Sequence, residues 1–393
     1  MILKLEPQTL ANEFSQLGIH PASEAIFLHK SEIVPLKILD IRTPAANIIK
    51  QEMLACGGDC AIPAGCVVCA EERVDVILLG TYKHYARLLE KLTQMPYFGM
   101  AGIKSELMAI LDAPIPQTIL SDGRTLNYDK MLVMGILNIT PDSFYAGSRV
   151  PQLEQVVEML RQGAAVLDIG GESTRPGSDA VTADEEQKRI VPVIKALKER
   201  YPACVISIDT YRASTAEAAL AAGADIINDV TAMEGDAAMS DLVVGSKVPI
   251  ILMHMRGTPK NMQQNCEYKN VVTEVAAYLL QRAKILENRG VAKEKIIFDP
   301  GIGFAKNIEQ NLQLMQGLKS LTGLGYPVLL AASRKSTIGS VLGGIPAEER
   351  LEGTIAASCQ AVYAGAQMVR VHDVQENLRA IRMLEAILCP SHI

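Results

Sequence analysis

The sequence predicts an α/β protein: a (β/α)8 TIM barrel preceded by a small α+β N-terminal domain. Three observations carry this. Beyond about residue 118, short apolar runs alternate eight times with amphipathic stretches. The runs are continuously apolar, as parallel strands buried on both faces must be. Eight strand–helix units in roughly 260 residues also match a (β/α)8 barrel in count and length.

The expected barrel strands are, in order, "MLVMGILN" (131–138), "AVLDIG" (165–170), "CVISID" (204–209), "DIINDV" (225–230), "VPIILMH" (248–254), "KIIFDP" (295–300), "YPVLLAAS" (326–333) and "QMVRVH" (367–372). Segments such as "EQVVEMLRQGA", "VVTEVAAYLLQRAKILENRG" and "QENLRAIRMLEAI" place apolar residues three and four apart, the spacing of an amphipathic helix. Gly163, Gly223 and Gly290 stand where such helices would end in a glycine cap. A doubly wound sheet would want G-x-G-x-x-G after its first strand, but that strand runs into "GILNITPDSF". The Asp-Gly turn in "TILSDGRTL" (118–126) suggests a hairpin capping the barrel floor.

Residues 1–117 read as a separate domain, with the barrel taking 118–393. "EIVPLKILDI" suggests a strand, and "TPAANIIKQEMLACGG" a helix with Thr43 as N-cap, Pro44 in the first turn and Gly57 closing it. "VDVILLGT" adds a strand and "YKHYARLLEKL" a helix. None of these elements carries a dense polar loop that points to chemistry.

Composition narrows the function classes. Apolar residues make up 49% and charged residues 21%, as in ordinary globular proteins. A net charge of −6 argues against a general nucleic-acid binder, so an anionic ligand must be met by a local cluster of cations. Aromatic residues are only 4% with no Trp, which argues against large aromatic interaction surfaces. The N-terminus lacks the pattern of a secretory signal, and no run approaches ~18 apolar residues, so a soluble cytoplasmic protein is expected. Of eight cysteines, four are crowded into "CGGDCAIPAGCVVC": Cys56, Cys60, Cys66 and Cys69. Thiolates this close could ligate zinc or iron–sulfur. However, only five residues separate the pairs, where a zinc finger wants ~12 or more. Packing as small apolar residues is the expectation.

In barrels of this class the chemistry sits at the C-terminal ends of the strands. Those ends carry Asn138, Thr140, Asp142, Ser143 and Phe144; Asp168, Glu172, Thr174 and Arg175; Asp209 and Thr210; Asn228 and Asp229; Met253, His254 and Arg256; Asp299; Ser333, Arg334 and Lys335; and Arg370, His372 and Asp373. One Asp after a strand is commonly a helix cap, but eight polar ends around one mouth ask for a ligand. The loop "LDIGGESTRPGS" (167–178) is the densest of them, far richer in hydrogen-bonding groups than a turn needs. Asp209, Asn228 and Asp299 could hydrogen-bond a flat heterocycle rich in N–H donors. Arg175, Lys335, Arg370 and His372 could meet an anion such as phosphate. Asn138 offers a neutral oxygen suited to orienting a hydrated Mg2+ on that anion.

"MGILNITPDSF", "LDIGGESTRPGS", "ISIDT", "IINDV", "LMHMRGTP", "DPGIGF", "SRKS" and "RVHD" occur in that order along 134–373. Together they resemble the dihydropteroate synthase family over about two thirds of the chain. The resemblance implies condensation of 4-aminobenzoate with (7,8-dihydropterin-6-yl)methyl diphosphate, releasing pyrophosphate, with Mg2+ as cofactor and a homodimeric assembly. Carried over, the family's pterin pocket falls on Asp209, Asn228, Met253, Asp299, Phe304 and Lys335. Its diphosphate site falls on Asn138, Arg175, Arg370 and His372, with Asn138 toward the metal. Its aminobenzoate site falls on Phe144, Thr174, Arg175, Pro176 and Ser333. Catalysis would then rest on Asn138, Arg175, Lys335, Arg370 and His372.

The chain departs from the family where "DSFSDGG" is usual. Here the run is "DSFYAGSR", with Ala146 in place of the second acid. A corrinoid-dependent pterin methyltransferase would share the ring-binding Asp and Asn residues but needs no diphosphate clamp, so the cation set disfavours it. The same set disfavours a pterin-binding regulatory barrel without activity.

Overall fold

The computed structural model describes residues 2–139, 149–172, 181–257, 262 and 266–389. The chain divides into two compact units, Met1–Pro114 and Ile115–Ile393. The division falls just before the expected 117/118 boundary, because the strand starting at Gln117 pairs within the second unit.

In the first unit, β1 (Val34–Arg42), β2 (Asp59–Ala61) and β3 (Arg73–Gly80) form an antiparallel sheet with β3 in the centre. β3 alternates exposed and buried residues along its whole length, so Val74, Val76 and Leu78 join one core with Ile49 and Met53 of helix Thr43–Cys56. Thr43 is the first residue of that helix, not its cap, and its hydroxyl donates to the Glu71 carbonyl. Pro44 and Gly57 sit as expected, Gly57 with a left-handed φ of 93°. Cys56, Cys60 and Cys66 belong to this core, whereas Cys69 is exposed. Burial pushes the three core thiols upward, Cys60 to about 11, which disfavours the reactive thiolate.

The second unit opens with the hairpin β4 (Gln117–Ile119) and β5 (Thr125–Asn127). Eight parallel strands follow: β6 (Leu132–Asn138), β7 (Val166–Gly170), β8 (Val205–Asp209), β9 (Ile226–Asp229), β10 (Ile250–Met253), β11 (Ile296–Asp299), β12 (Leu329–Leu330) and β13 (Met368–Val371). β13 pairs with both β6 and β12, and a bridge from Phe298 to Val328 joins β11 to the segment entering β12, which closes the ring. Each expected run contains one strand. Gly163, Gly223 and Gly290 take the positive φ of helix caps.

Strand side chains alternate between the two faces, so the barrel interior is filled in layers. The floor layer is apolar throughout: Met134, Val166, Val205, Ile226, Ile251, Ile297, Leu329 and Met368. Leu120 and Tyr128 of the hairpin segment pack into the same cluster, and the hydroxyls of Tyr128 and Thr118 bond at 2.6 Å. The intervening residues, such as Ile206, Ile208, Ile227, Phe298 and Val369, join the larger cluster that includes the surrounding helices. Each such buried aliphatic side chain stabilises the fold by about 1.5–3 kcal/mol. Among the described residues, no helix is long and apolar enough to cross a membrane.

Candidate active site

Two residues along each strand from the floor, the interior changes character. The equivalent positions are Ile136, Asp168, Ser207, Asn228, Met253, Asp299, Ala331 and Arg370. The next step up brings Asn138, Asp209, Ser333 and His372 to the mouth.

Four of the polar groups form one connected set. Arg370 donates from Nε to Asp168 Oδ2 at 2.5 Å and from Nη2 to Asp209 Oδ2 at 2.7 Å. Asn228 Nδ2 donates to the same Asp168 oxygen at 3.2 Å. A Cβ added at Gly170 would lie 3.6 Å from the Asp209 Cβ and 3.7 Å from Asn138 Oδ1, so Asn138 opens beside this set. Burial pushes the Asp209 carboxyl well above the ordinary carboxylate range, against the pull of Arg370. Asp299, also driven upward by burial, accepts the backbone N–H of Gly301 at 2.7 Å. Lys335 precedes helix Ser336–Val341, donates to the Ile302 carbonyl and lies 4.8 Å from the centre of the Phe304 ring. Burial drives its ammonium down to about 8, with Asp299 acting in opposition.

Met253 lies in a small apolar cluster with Val230, Met255, Met262 and Ala305, against which Phe304 packs. This is a greasy wall beside the acids, suited to the face of a ring. Ser333 Oγ lies 3.0 Å from His372 Nδ1 and accepts the His372 backbone N–H at 3.2 Å. The structure therefore brings together Asn138, Asp209, Asn228 and Arg370; Met253, Asp299, Phe304 and Lys335; and Ser333 with His372. Arg370 and His372 leave the same strand end but engage different neighbours. Phe144, Thr174, Arg175 and Pro176, together with Ala146, lie outside the described residues.

Several strand-end groups serve the scaffold instead. Arg334 is held bidentately by Asp373. Arg256 pairs with Glu274 and stacks 3.9 Å over Tyr268. Asp229 closes its own turn through Thr231 and Met233. Glu172 pairs with Arg212, which also binds Glu186 and the Val181 carbonyl.

The sequence reading missed Lys306. It is 2% exposed, and its Nζ lies 2.9 Å from His254 Nδ1, 3.0 Å from the Gly301 carbonyl and 2.8 Å from the Phe304 carbonyl. An ammonium thus ties the 300–306 turn to the end of β10. Burial brings its pKa down to about 7 and drives that of His254 to about 2. The turn is so close to β10 that a Cβ on Gly301, at φ +69°, would lie 2.0 Å from the His254 carbonyl oxygen. The signal in the sequence was a Lys directly after "DPGIGFA", inside an apolar turn.

The family model for "Pterin binding enzyme" matches residues 134–372. The dihydropteroate synthase of Bacillus subtilis is 44% identical over 277 residues, covering 69% of this chain and 94% of the relative. The chain belongs to the dihydropteroate synthase family. Among solved structures of this family, Xanthomonas albilineans dihydropteroate synthase with 4-aminobenzoic acid aligns at TM-score 0.65 and 39% identity, over 70% of this chain and 99% of that one. The bifunctional dihydropteroate synthase/dihydropteroate reductase of Helicobacter pylori is 33% identical over 392 residues, 98% of this chain and 99% of the relative. The first two matches fit a barrel-sized synthase, whereas the third runs through the N-terminal unit as well.

Proposed function

We propose that the chain condenses 4-aminobenzoate with (7,8-dihydropterin-6-yl)methyl diphosphate to give 7,8-dihydropteroate and pyrophosphate. The observation that carries this reading is the set of acids and cations gathered inside the barrel: Arg370 paired with Asp168 and Asp209, Asn228 bonded to Asp168, and Lys335 within the electrostatic reach of Asp299. Asp209, Asn228 and Asp299 offer acceptors and an amide to the edge of a pterin, with Met253 and Phe304 against its face. Burial pushes the Asp209 and Asp299 carboxyls upward, and hydrogen bonds from ring N–H groups would offset part of that cost in a desolvated pocket. Arg370 and His372, with Arg175, would neutralise the departing diphosphate, an electrostatic stabilisation of developing charge. The ring-side acids would favour the positive charge left on the methylene carbon. The arylamine is already a competent nucleophile and needs no strong base.

Mg2+ fits the donors present. Asn138 gives one neutral oxygen at the open end of β6, and Mg2+ typically combines few protein oxygens with water and substrate phosphate. It would supply further charge neutralisation on the diphosphate. A cytoplasmic homodimer completes the reading, supported by exposed Tyr363, Met383 and Ile387 on the last helices. Pyrophosphate release measured with and without 4-aminobenzoate tests the reaction. Release that depends on the amine and yields dihydropteroate supports it; no release, or release indifferent to the amine, overturns it.

A second reading concerns residues 1–114. The end-to-end match to the Helicobacter protein favours a reduction of the product by this chain. Conversion of 7,8-dihydropteroate to its tetrahydro form with reduced nicotinamide or flavin, followed anaerobically, tests it. A chain active as synthase but inert in that assay would remove this second activity alone.

A further inference from the structure

Arg370 and Asp168 are 202 residues apart in the chain, yet they pair at 2.5 Å inside the barrel. To reach β7 the Arg370 side chain crosses β6, whose residue at that level is Ile136, with no polar group to offer. Asp168 is 0% exposed, and one of its oxygens serves both Arg370 Nε and Asn228 Nδ2. Among the described residues its other oxygen has no hydrogen-bond partner, and neither has the Ser207 hydroxyl beside it in register. Arg370 is therefore the only cation bonded to this acid among the described residues.

The guanidinium fork makes this arrangement directional. Its five N–H groups lie in a fixed plane, so anchoring Nε fixes where the terminal nitrogens point. Nε is bound to an acid that no solvent reaches. Nη2 is bound to Asp209, which stands one layer higher at the mouth. A terminal nitrogen can exchange Asp209 for a phosphate oxygen without disturbing the Nε bond, and that exchange frees Asp209 to accept from a ring.

We propose that Asp168 is a positioning residue: it anchors Arg370 through Nε so that the terminal nitrogens can pass from Asp209 to the substrate anion, and it orients Asn228 from the same oxygen. This deepens the synthase reading and rests on it, and turnover by the unsubstituted chain tests that reading separately.

The test uses the full chain with Asp168→Asn, Arg370→Ala, the double variant and Arg370→Lys. KM and kcat for both substrates are measured together with the thermal midpoint of each protein. Asp168→Asn is expected to lower kcat/KM for the pterin diphosphate by about 30-fold or more, the scale for breaking a buried charge pair. KM for 4-aminobenzoate should stay near its unsubstituted value. Because Asp168 acts chiefly through Arg370, with Asn228 as its other partner, the double variant should lose far less than the product of the two single losses. Arg370→Lys leaves Asp168 intact but lacks the fork, and should fall as Asp168→Asn does. Losses that multiply in the double variant, full turnover in Arg370→Lys, or Asp168→Asn effects that merely track a lost folded fraction would each overturn the proposal.

Discussion

The floor of the barrel and the layer above it are built from the same eight strands, two residues apart, yet they obey different rules. At the floor every inward position is apolar, from Met134 round to Met368, and the hairpin residues Leu120 and Tyr128 cover it. One step higher, about 6–7 Å along a strand, the same strands present Asp168, Asn228, Asp299 and Arg370. The lower layer gains stability from the removal of apolar surface from water. The upper layer buries charge, which is costly unless each group meets a partner.

The largest effect should come from breaking the floor. Ile251→Asn puts an amide without a partner among Val205, Ile226 and Ile297, and should destabilise the chain by about 3–5 kcal/mol in urea unfolding. A loss below about 1 kcal/mol would mean the floor is less tightly packed than its burial indicates.

Asp299→Asn should do the reverse. It should lower kcat/KM for the pterin diphosphate by roughly 10²–10³-fold, the scale for one charge-stabilising group. Its unfolding midpoint should hold or rise, since burial already disfavours the charged carboxyl. Comparable losses of activity and stability would erase the contrast between the layers.

The smallest effect is one of pH. Lys335 is brought down to about 8 in the folded chain, against ~10.4 in an unfolded one. The folded state therefore binds fewer protons between those values, so the Lys335 contribution makes stability rise with pH across that window. Activity should move the other way. Asp299 favours the charged ammonium electrostatically, so kcat/KM for the pterin substrate should fall as pH rises through about 8. Lys335→Arg should carry the plateau to higher pH, because arginine stays charged. Profiles taken at constant ionic strength decide this, and an identical fall in both proteins would assign the titration to another group.

Much of this was legible in advance because it is local. The eight apolar runs are strands because continuous burial on both faces leaves no other use for them. The residues ending those runs had to surround the mouth, which placed Asn138, Asp209, Asn228, Asp299, Lys335 and His372 without any structure. Local reading failed where a side chain had two plausible partners. Arg334, Arg256 and Glu172 stand at strand ends like the others, yet they bind Asp373, Glu274 and Arg212. Thr43 showed the same ambiguity, reading as a cap while its hydroxyl serves the Glu71 carbonyl.

The sequence by itself determined the barrel, its direction and the ring of polar groups at one end, because strand periodicity and helix caps act over a few residues. Only the tertiary structure decided which of those groups meet. Arg370 reaches Asp168 and Asp209, 202 and 161 residues away, and Lys306 reaches His254, 52 residues away. Such pairings depend on how the closed barrel aligns its strands, and on which partner a buried charge finds once water is gone.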